Sequence, residues 1–148
     1  MSEVIFVGFL RRLMLFLTGG SIYFALEMLW RGWSHFTMFL AGGCCFLLLG
    51  RLEKTDPRLS AIPRGLLGAT VITSVELLIG ILANGEYGIW DYRDMPLNFH
   101  GQICLPFFLL WMPLSLGAMK LYRLVDAGIR NIVLRRGFRE HTDKRPSS

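Results

Sequence analysis

The sequence lacks the signature motifs of several common enzyme classes. It contains no Gly-x-x-x-x-Gly-Lys-Ser/Thr loop, so the chain does not hydrolyse ATP through that phosphate-binding motif. It also contains no His-Glu-x-x-His zinc-protease helix and no Gly-x-Ser-x-Gly nucleophile turn. We therefore predict that the chain is not an enzyme and that it needs no cofactor.

Cysteine is scarce, with Cys44, Cys45 and Cys104 as the only three. None of them stands in a Cys-x-x-Cys pair or at a zinc-binding spacing from histidine, so we predict no metal site. Cys44 and Cys45 lie within an apolar run, where free thiols pack as small hydrophobic groups.

Acidic residues are outnumbered, since 11 Asp and Glu face 16 Lys and Arg and leave a net charge of +5. The basic excess lies in one loop and in the C-terminal tail. This distribution is typical of the charges that orient a membrane protein, and it fits a nucleic-acid surface less well. We predict no nucleic-acid partner.

Apolar residues are abundant and lie in long runs. They make up 53% of the chain, and the mean hydropathy is +0.44. A bilayer core about 30 Å thick requires about 20 helical residues. Four segments meet this length, at about 13–30, 33–52, 65–83 and 101–122. The sequence therefore predicts an all-α, polytopic membrane protein with a four-helix transmembrane domain over residues 1–124.

The distribution of Lys and Arg predicts the orientation of these spans. Only Arg31 and Arg93 lie on one side, and fourteen basic residues lie on the other. The fourteen are Arg11, Arg12, Arg51, Lys54, Arg58, Arg64, Lys120, Arg123, Arg130, Arg135, Arg136, Arg139, Lys144 and Arg145. Because the basic side of a membrane protein faces the cytoplasm, we expect both termini there and the protein in the cell membrane. Residues 125–148 then form a basic amphipathic cytoplasmic tail, with Val125–Phe138 as an interfacial helix on the anionic inner leaflet.

Glu76 is the most informative residue of the predicted spans. It lies about 16 Å along a helix that starts near Gly65, and therefore near the membrane midplane. An acidic group there is costly, so it should face other helices, a partner or water rather than lipid. Ala69, Thr73 and Gly80 share its face and would let another helix approach closely. Glu76 is either an ion-responsive or ligand-binding carboxylate, or a buried group that is hydrogen-bonded for assembly.

Glu27 and Arg31 lie one helical turn apart, in the order that favours an ion pair. The pair is either structural, near the outer interface, or part of an outward-facing polar pocket together with Glu76. In the second case Arg31 would bind an anionic head group or substrate.

The stretch from Trp90 to Cys104 is the densest set of polar and aromatic groups between the spans. We interpret Trp90 and Tyr92 as interfacial anchors and Asp91 as a solvated loop acid. Asn98, His100 and Gln102 lie at the outer entrance to the fourth span, and Asn98 and His100 are binding candidates. We predict that the stretch folds back above Glu27 as a lid on a pocket whose floor is Glu76.

Two prolines fall inside the fourth predicted span. Pro106 and Pro113 should both interrupt that helix, and Pro113 should kink it by freeing the carbonyl of Leu109. The kink is either a hinge or a feature of the packing.

The pattern of the polar stretch resembles a known family. The residues that carry the resemblance are Trp90, Asp91, Tyr92, Pro96, Asn98, Gly101, Ile103 and Cys104, with Glu27, Arg31, Gly32 and Glu76 upstream. They are similar to the signature of the family named Putative ABC-transporter type IV, which groups small polytopic membrane proteins. The resemblance covers Gly19 to about Tyr122 and implies a permease-like role. The chain departs from the family pattern after Gly32, where His35-Phe36-Thr37-Met38 replaces a Gly-Pro-rich turn.

Two functions are compatible with these features. The first is a permease-like transport component, which would act in the lipid bilayer as a homo-oligomer or with other membrane subunits, because four spans are few to enclose a pathway. The second is a non-transporting membrane scaffold, regulator or lipid-sensing module. A lipid-acting enzyme that uses His100 or Asp91 has no nucleophile–base pattern to support it.

Overall fold

Four helices make up most of the chain. A computed structural model describes residues 2–55 and 58–143, and within them the side chains of 5–55 and 58–132. The helices are α1 (Ser2–Arg31), α2 (Phe36–Thr55), α3 (Ala61–Ala83) and α4 (Leu105–Asp143). Each contains a segment long and apolar enough to cross a membrane. The predicted all-α, four-span architecture is confirmed.

The helices run alternately up and down, so their connections lie at two ends of the bundle. Residues 32–35 and 84–104 connect helices at one end, which we call the loop end. The opposite end holds the start of α1, the α2–α3 connection and the second half of α4. We call it the basic end, because Arg11, Lys54 and Arg130 lie there.

The fourth helix begins later than the predicted span. It starts at Leu105 rather than at Gly101, because β1 (Asn98–Phe99) pairs antiparallel with β2 (Ile103–Cys104) just before it. Pro106 therefore lies in the first turn of α4, where a missing N–H breaks no helical hydrogen bond. The prediction that Pro106 interrupts the span is wrong, whereas Pro113 does lie inside the helix.

The basic C-terminal segment is a continuation of α4. This helix runs without a break from Leu105 to Asp143, past the predicted start of the tail at Val125. A separate interfacial helix over Val125–Phe138 is therefore not found. Residues 144–148, the end of the predicted tail, lie outside the described residues.

α2 and α4 each contact the other three helices. α2 is the most enclosed helix, with 39% of its membrane-length segment buried, against 17% for α1. The closest packing lies between α1 and α2 and between α3 and α4. At Gly68 on α3, an added Cβ would lie 2.2 Å from Ser115 Oγ of α4, so only glycine permits this approach.

Much of the apolar surface faces outward. Leu29 is 85% exposed and Leu82 is 75% exposed, and large aliphatic and aromatic side chains are exposed along all four helices. So much exposed apolar surface is unfavourable in water and favourable in lipid. The chain is a multi-pass membrane protein.

Candidate functional site beneath the loop

Glu76 lies inside the bundle, close to the loop end. Its residue is only 7% exposed. Because α3 starts at Ala61 and ends at Ala83, the helical rise puts Glu76 about 10 Å from the end of the helix rather than at its middle. The depth of Glu76 in the membrane stays a prediction, and the carboxylate is within reach of the loop that follows α3.

Both carboxylate oxygens of Glu76 accept a hydrogen bond from a neutral aromatic donor. The Tyr92 hydroxyl, in the loop, lies 2.9 Å from Oε1. The indole N–H of Trp111, on α4, lies 3.1 Å from Oε2. No ion pair to Glu76 is found among the described residues. The loop and α4 are thus both bound to one acidic group of α3.

Aromatic rings enclose this carboxylate. Tyr92 stacks on Phe107 with ring centroids 4.7 Å apart. Tyr23, on α1, lies against Trp111 at a centroid distance of 6.4 Å. Burial raises the pKa of the Tyr92 hydroxyl, so the hydroxyl keeps its proton and remains a donor at neutral pH.

A second contact binds the loop to α1. Arg31 forms the predicted ion pair with Glu27. The same guanidinium donates a hydrogen bond from its NH1 nitrogen to the carbonyl of Ile89, at 2.7 Å. Its Nε is buried and has no hydrogen-bond partner. Arg31 therefore joins the end of α1 to the loop.

Asn84 and Gln102 form a buried hydrogen-bonded centre within the loop. Asn84, directly after α3, is 1% exposed and Gln102 is 5% exposed. The Asn84 amide donates to the Trp90 carbonyl at 2.7 Å and to Gln102 Oε1 at 2.9 Å. Gln102 Nε2 donates back to the Asn84 carbonyl at 3.0 Å. These bonds fix the path of the loop over the end of α3.

Trp90 and Tyr92 are part of this packed structure and not only interfacial anchors. Trp90 is 7% exposed, and its indole N–H donates to the Gln102 carbonyl at 2.9 Å. It packs in a cluster with Met38 and Ile89. The polar atoms of both side chains bond within the protein, so both residues hold the loop in place, and their role as interfacial anchors stays a prediction.

The structure does not bring Asn98 and His100 to Glu76. Both are exposed. Asn98 bonds within the loop, donating to the Met95 carbonyl at 2.9 Å and accepting from the Gly101 N–H at 3.1 Å. His100 has a positive φ of 50°. The two residues build the turn between β1 and β2.

The other residues of the recognised pattern also shape the loop. Asp91 forms an exposed ion pair with Arg93 at 2.6 Å, which holds the pKa of Asp91 below its usual value. Pro96 lies in a turn. Gly101 has a φ of 62°, and an added Cβ would lie 2.6 Å from Arg93 Cγ, so only glycine fits there. Cys104 is buried in β2.

The loop folds back over the end of α1 near Glu27, as predicted, and it also contacts Glu76, which was predicted only as the floor of a pocket. It reaches Arg31, the partner of Glu27, through Ile89, and it reaches Glu76 directly through Tyr92. The outward-facing pocket beneath it remains a prediction. The described residues contain no group of three or more His, Cys, Asp or Glu that could hold a metal ion.

Sequence reasoning missed two residues of the site. Asn84 follows an apolar run and precedes a glycine, a pattern typical of a helix end, and its burial gives it a structural role. Trp111 lies in the middle of an apolar helix, where its N–H needs an acceptor. Glu76 is an acceptor inside another predicted span, so a hydrogen bond from the Trp111 N–H to Glu76 could have been predicted from the sequence.

A family model matches residues 14–136, and the family is described as Putative ABC-transporter type IV. The match confirms the resemblance and extends it at both ends, so that it includes most of α4. No curated protein and no solved structure matches the chain significantly.

Proposed function

Because the chain belongs to the Putative ABC-transporter type IV family, we propose that it is a permease-like component of a membrane transport system. Its binding site would be the carboxylate of Glu76, reached from the loop end. The cargo, or a co-transported ion, would then be a cation or a group that donates hydrogen bonds. The other members of the site would be Glu27 and Arg31.

One observation carries this proposal. Glu76 is a buried acidic group whose described partners are the neutral donors Tyr92 and Trp111. An ionisable residue inside a membrane protein is costly and commonly marks an ion or substrate pathway. Neutral donors leave the negative charge of an ionised carboxylate uncompensated, so a bound cation could neutralise it. The Thr73 hydroxyl, one turn away on α3, is likewise buried without a hydrogen-bond partner.

The loop supplies a means of access. Tyr92 is the only described donor to Glu76 that does not belong to a helix. Movement of the loop would break its bond to Glu76 and expose one carboxylate oxygen, while Trp111 keeps the other in place. The same movement would either break the hydrogen bond between Arg31 and the Ile89 carbonyl or leave it in place.

The test is flux through reconstituted vesicles. The purified protein, in liposomes that contain a pH-sensitive dye, is exposed to gradients of H⁺, Na⁺ and K⁺, and then to organic cations. Wild type should give flux above protein-free vesicles for at least one of these probes. Glu76→Gln removes the charge with little change in size, so it should reduce that flux by tenfold or more.

The matched control is Glu86→Gln, the same chemical change at an exposed loop residue. It should leave the flux unchanged. Equal flux through wild type and Glu76→Gln would remove the carboxylate from the mechanism. Absence of flux for every probe, with a correctly folded protein, would count against the transport role itself.

We further propose that the working unit contains more than one chain, as a homo-oligomer or with other membrane subunits. The four spans leave little room for a pathway within one chain, because α2 is the only one of them that is well enclosed. We also propose that the protein resides in the cell membrane with both termini cytoplasmic, on the basis of its charge distribution.

A non-transporting scaffold, regulator or lipid-sensing module is the second candidate. The observation that favours it is the set of ion pairs at the basic end, which joins all four helices and involves none of the loop-end residues. In that case substitution of Glu27 or Arg31 should release a co-purifying protein or lipid without any effect on flux. Native mass spectrometry of the purified protein would detect the loss.

A further inference from the structure

Two buried carboxylates at the basic end are surrounded by cationic side chains. Asp126, on α4, is paired with Arg11 of α1 at 2.5 Å, with Lys54 of α2 at 3.2 Å and with Arg130 of α4 at 3.5 Å.

Glu53 is the second of these carboxylates. It is paired with Arg64 of α3 at 3.1 Å and with Arg123 of α4 at 3.3 Å. We call these seven residues the basic-end network. It draws charged groups from every helix.

Cations outnumber acids among the described members of the network. Lys54 and Arg130 share Asp126 with Arg11, and Arg123 shares Glu53 with Arg64. A cation that shares its carboxylate keeps part of its positive field, which attracts an anion.

The three cations that share a carboxylate with Arg11 or Arg64 face outward. The Asp126 and Glu53 side chains are 1% and 7% exposed, whereas those of Lys54, Arg123 and Arg130 are 50%, 60% and 55% exposed. The acids are therefore enclosed, and the three cations stand between them and the surroundings. Each cation is held from the inner side, which reduces the entropy it would lose on binding a second anion.

The three cations carry the kinds of donor that bind phosphate groups. Arg123 and Arg130 lie on the same face of α4 as Asp126, three and four residues away from it. A guanidinium has five N–H donors, so one inward contact leaves it able to bind a phosphate as well. Lys54, which lies over the Tyr122 ring at 5.2 Å, adds a point charge in a fixed position.

The depth of these residues agrees with the level of lipid head groups. Counted from the start of α4 at Leu105, Arg123 lies about 27 Å along the helix and Arg130 about 38 Å. A hydrocarbon layer about 30 Å thick, entered at Leu105, would end between them. Basic groups between helices at this level are suited to anionic head groups.

We propose that Lys54, Arg123 and Arg130 form a binding site for a phosphate group, carried either by an anionic phospholipid or by a soluble phosphate compound. The inference does not depend on the transport role of Glu76. It assigns a ligand class to the end of the bundle opposite the loop.

The experiment compares retention of two probes. In the lipid arm, protein from micelles doped with phosphatidylglycerol or phosphatidylcholine is analysed by native mass spectrometry. In the soluble arm, inorganic phosphate is titrated against the thermal stability of the same protein. Retention of phosphatidylglycerol over phosphatidylcholine identifies a lipid phosphate, and saturable stabilisation by inorganic phosphate alone identifies a soluble one.

The decisive variant carries Lys54→Gln, Arg123→Gln and Arg130→Gln together. Its control carries Arg12→Gln, Arg51→Gln and Lys120→Gln, which removes the same charge from exposed residues of α1, α2 and α4 outside the network. Loss of three cations near a phosphate should weaken retention on the order of a hundredfold. The reduction in retention should be about tenfold smaller for the control variant than for the network variant.

A conservative variant covers the case in which the triple variant does not fold. Arg123→Lys with Arg130→Lys preserves every charge and removes only the planar fork, so it should fold and still weaken phosphate binding severalfold. Equal losses in the network and control variants, or failure of wild type to prefer either phosphate probe, would overturn the proposal.

Discussion

The hydrogen bond between Tyr92 and Glu76 can be tested by removing a single oxygen atom. Tyr92→Phe deletes the hydroxyl that lies 2.9 Å from Glu76 Oε1. The ring can keep its stacking on Phe107, so the change isolates the polar contact. A buried acceptor that loses its donor costs about 1–3 kcal/mol. We therefore expect the free energy of unfolding to fall by that amount.

The assay is unfolding in mixed micelles by titration with a denaturing detergent, followed by helical circular dichroism. A double-mutant cycle with Glu76→Gln assigns the effect to this pair. Because the contact needs both partners, the two substitutions should be non-additive by about 1–2 kcal/mol. Tyr87→Phe is the matched control. Its hydroxyl bonds to the exposed His100 carbonyl at 3.1 Å, and its loss should cost less than about 1 kcal/mol.

The reasoning would be refuted by a Tyr92→Phe variant no less stable than Tyr87→Phe, together with additive effects in the cycle. The loop would then not be fastened through Glu76. The access role that we assign to Tyr92 would lose its basis.

Two further predictions concern the loop and the orientation. Asn84→Asp replaces the amide that donates to Trp90 and Gln102 with a carboxylate oxygen; it should destabilise the protein by about 3 kcal/mol, as loss of a buried donor next to two acceptors. The same change at exposed Asn131 should alter the micelle unfolding midpoint little, and equal effects at both positions would contradict the buried centre. A C-terminal green fluorescent protein fusion should fluoresce and an alkaline phosphatase fusion should be inactive, because the basic end is expected in the cytoplasm; the opposite pair of activities would reverse the orientation.

The helices were predictable because membrane spans depend on length and composition alone. Each apolar run had to be about 20 residues long, and four such runs are present. Boundaries were less certain because polar residues can extend a helix beyond the apolar run. α1 thus begins at Ser2 and α3 at Ala61, earlier than predicted. α4 begins only at Leu105, because the β1–β2 turn occupies the preceding residues.

The site was predictable only in part. Glu27 and Arg31 are neighbours by helical spacing, and Glu76 was identified because an acidic residue is rare in an apolar run. Which loop residue would meet Glu76 depended on the exact path of the chain after α3. That path is set by Asn84 and Gln102, which lie far apart in sequence, so no local pattern relates them.

The length of α4 has a mechanical consequence. Its 39 residues extend about 58 Å, almost twice the thickness of a hydrocarbon layer of about 30 Å. A helix that entered such a layer at Leu105 would extend beyond it by roughly half of its length. A tilt of about 10° would move the end of that half by about 5 Å. Because α4 also carries Trp111, which holds Glu76, a tilt of α4 at the loop end would displace Asp143 at the far end of the helix.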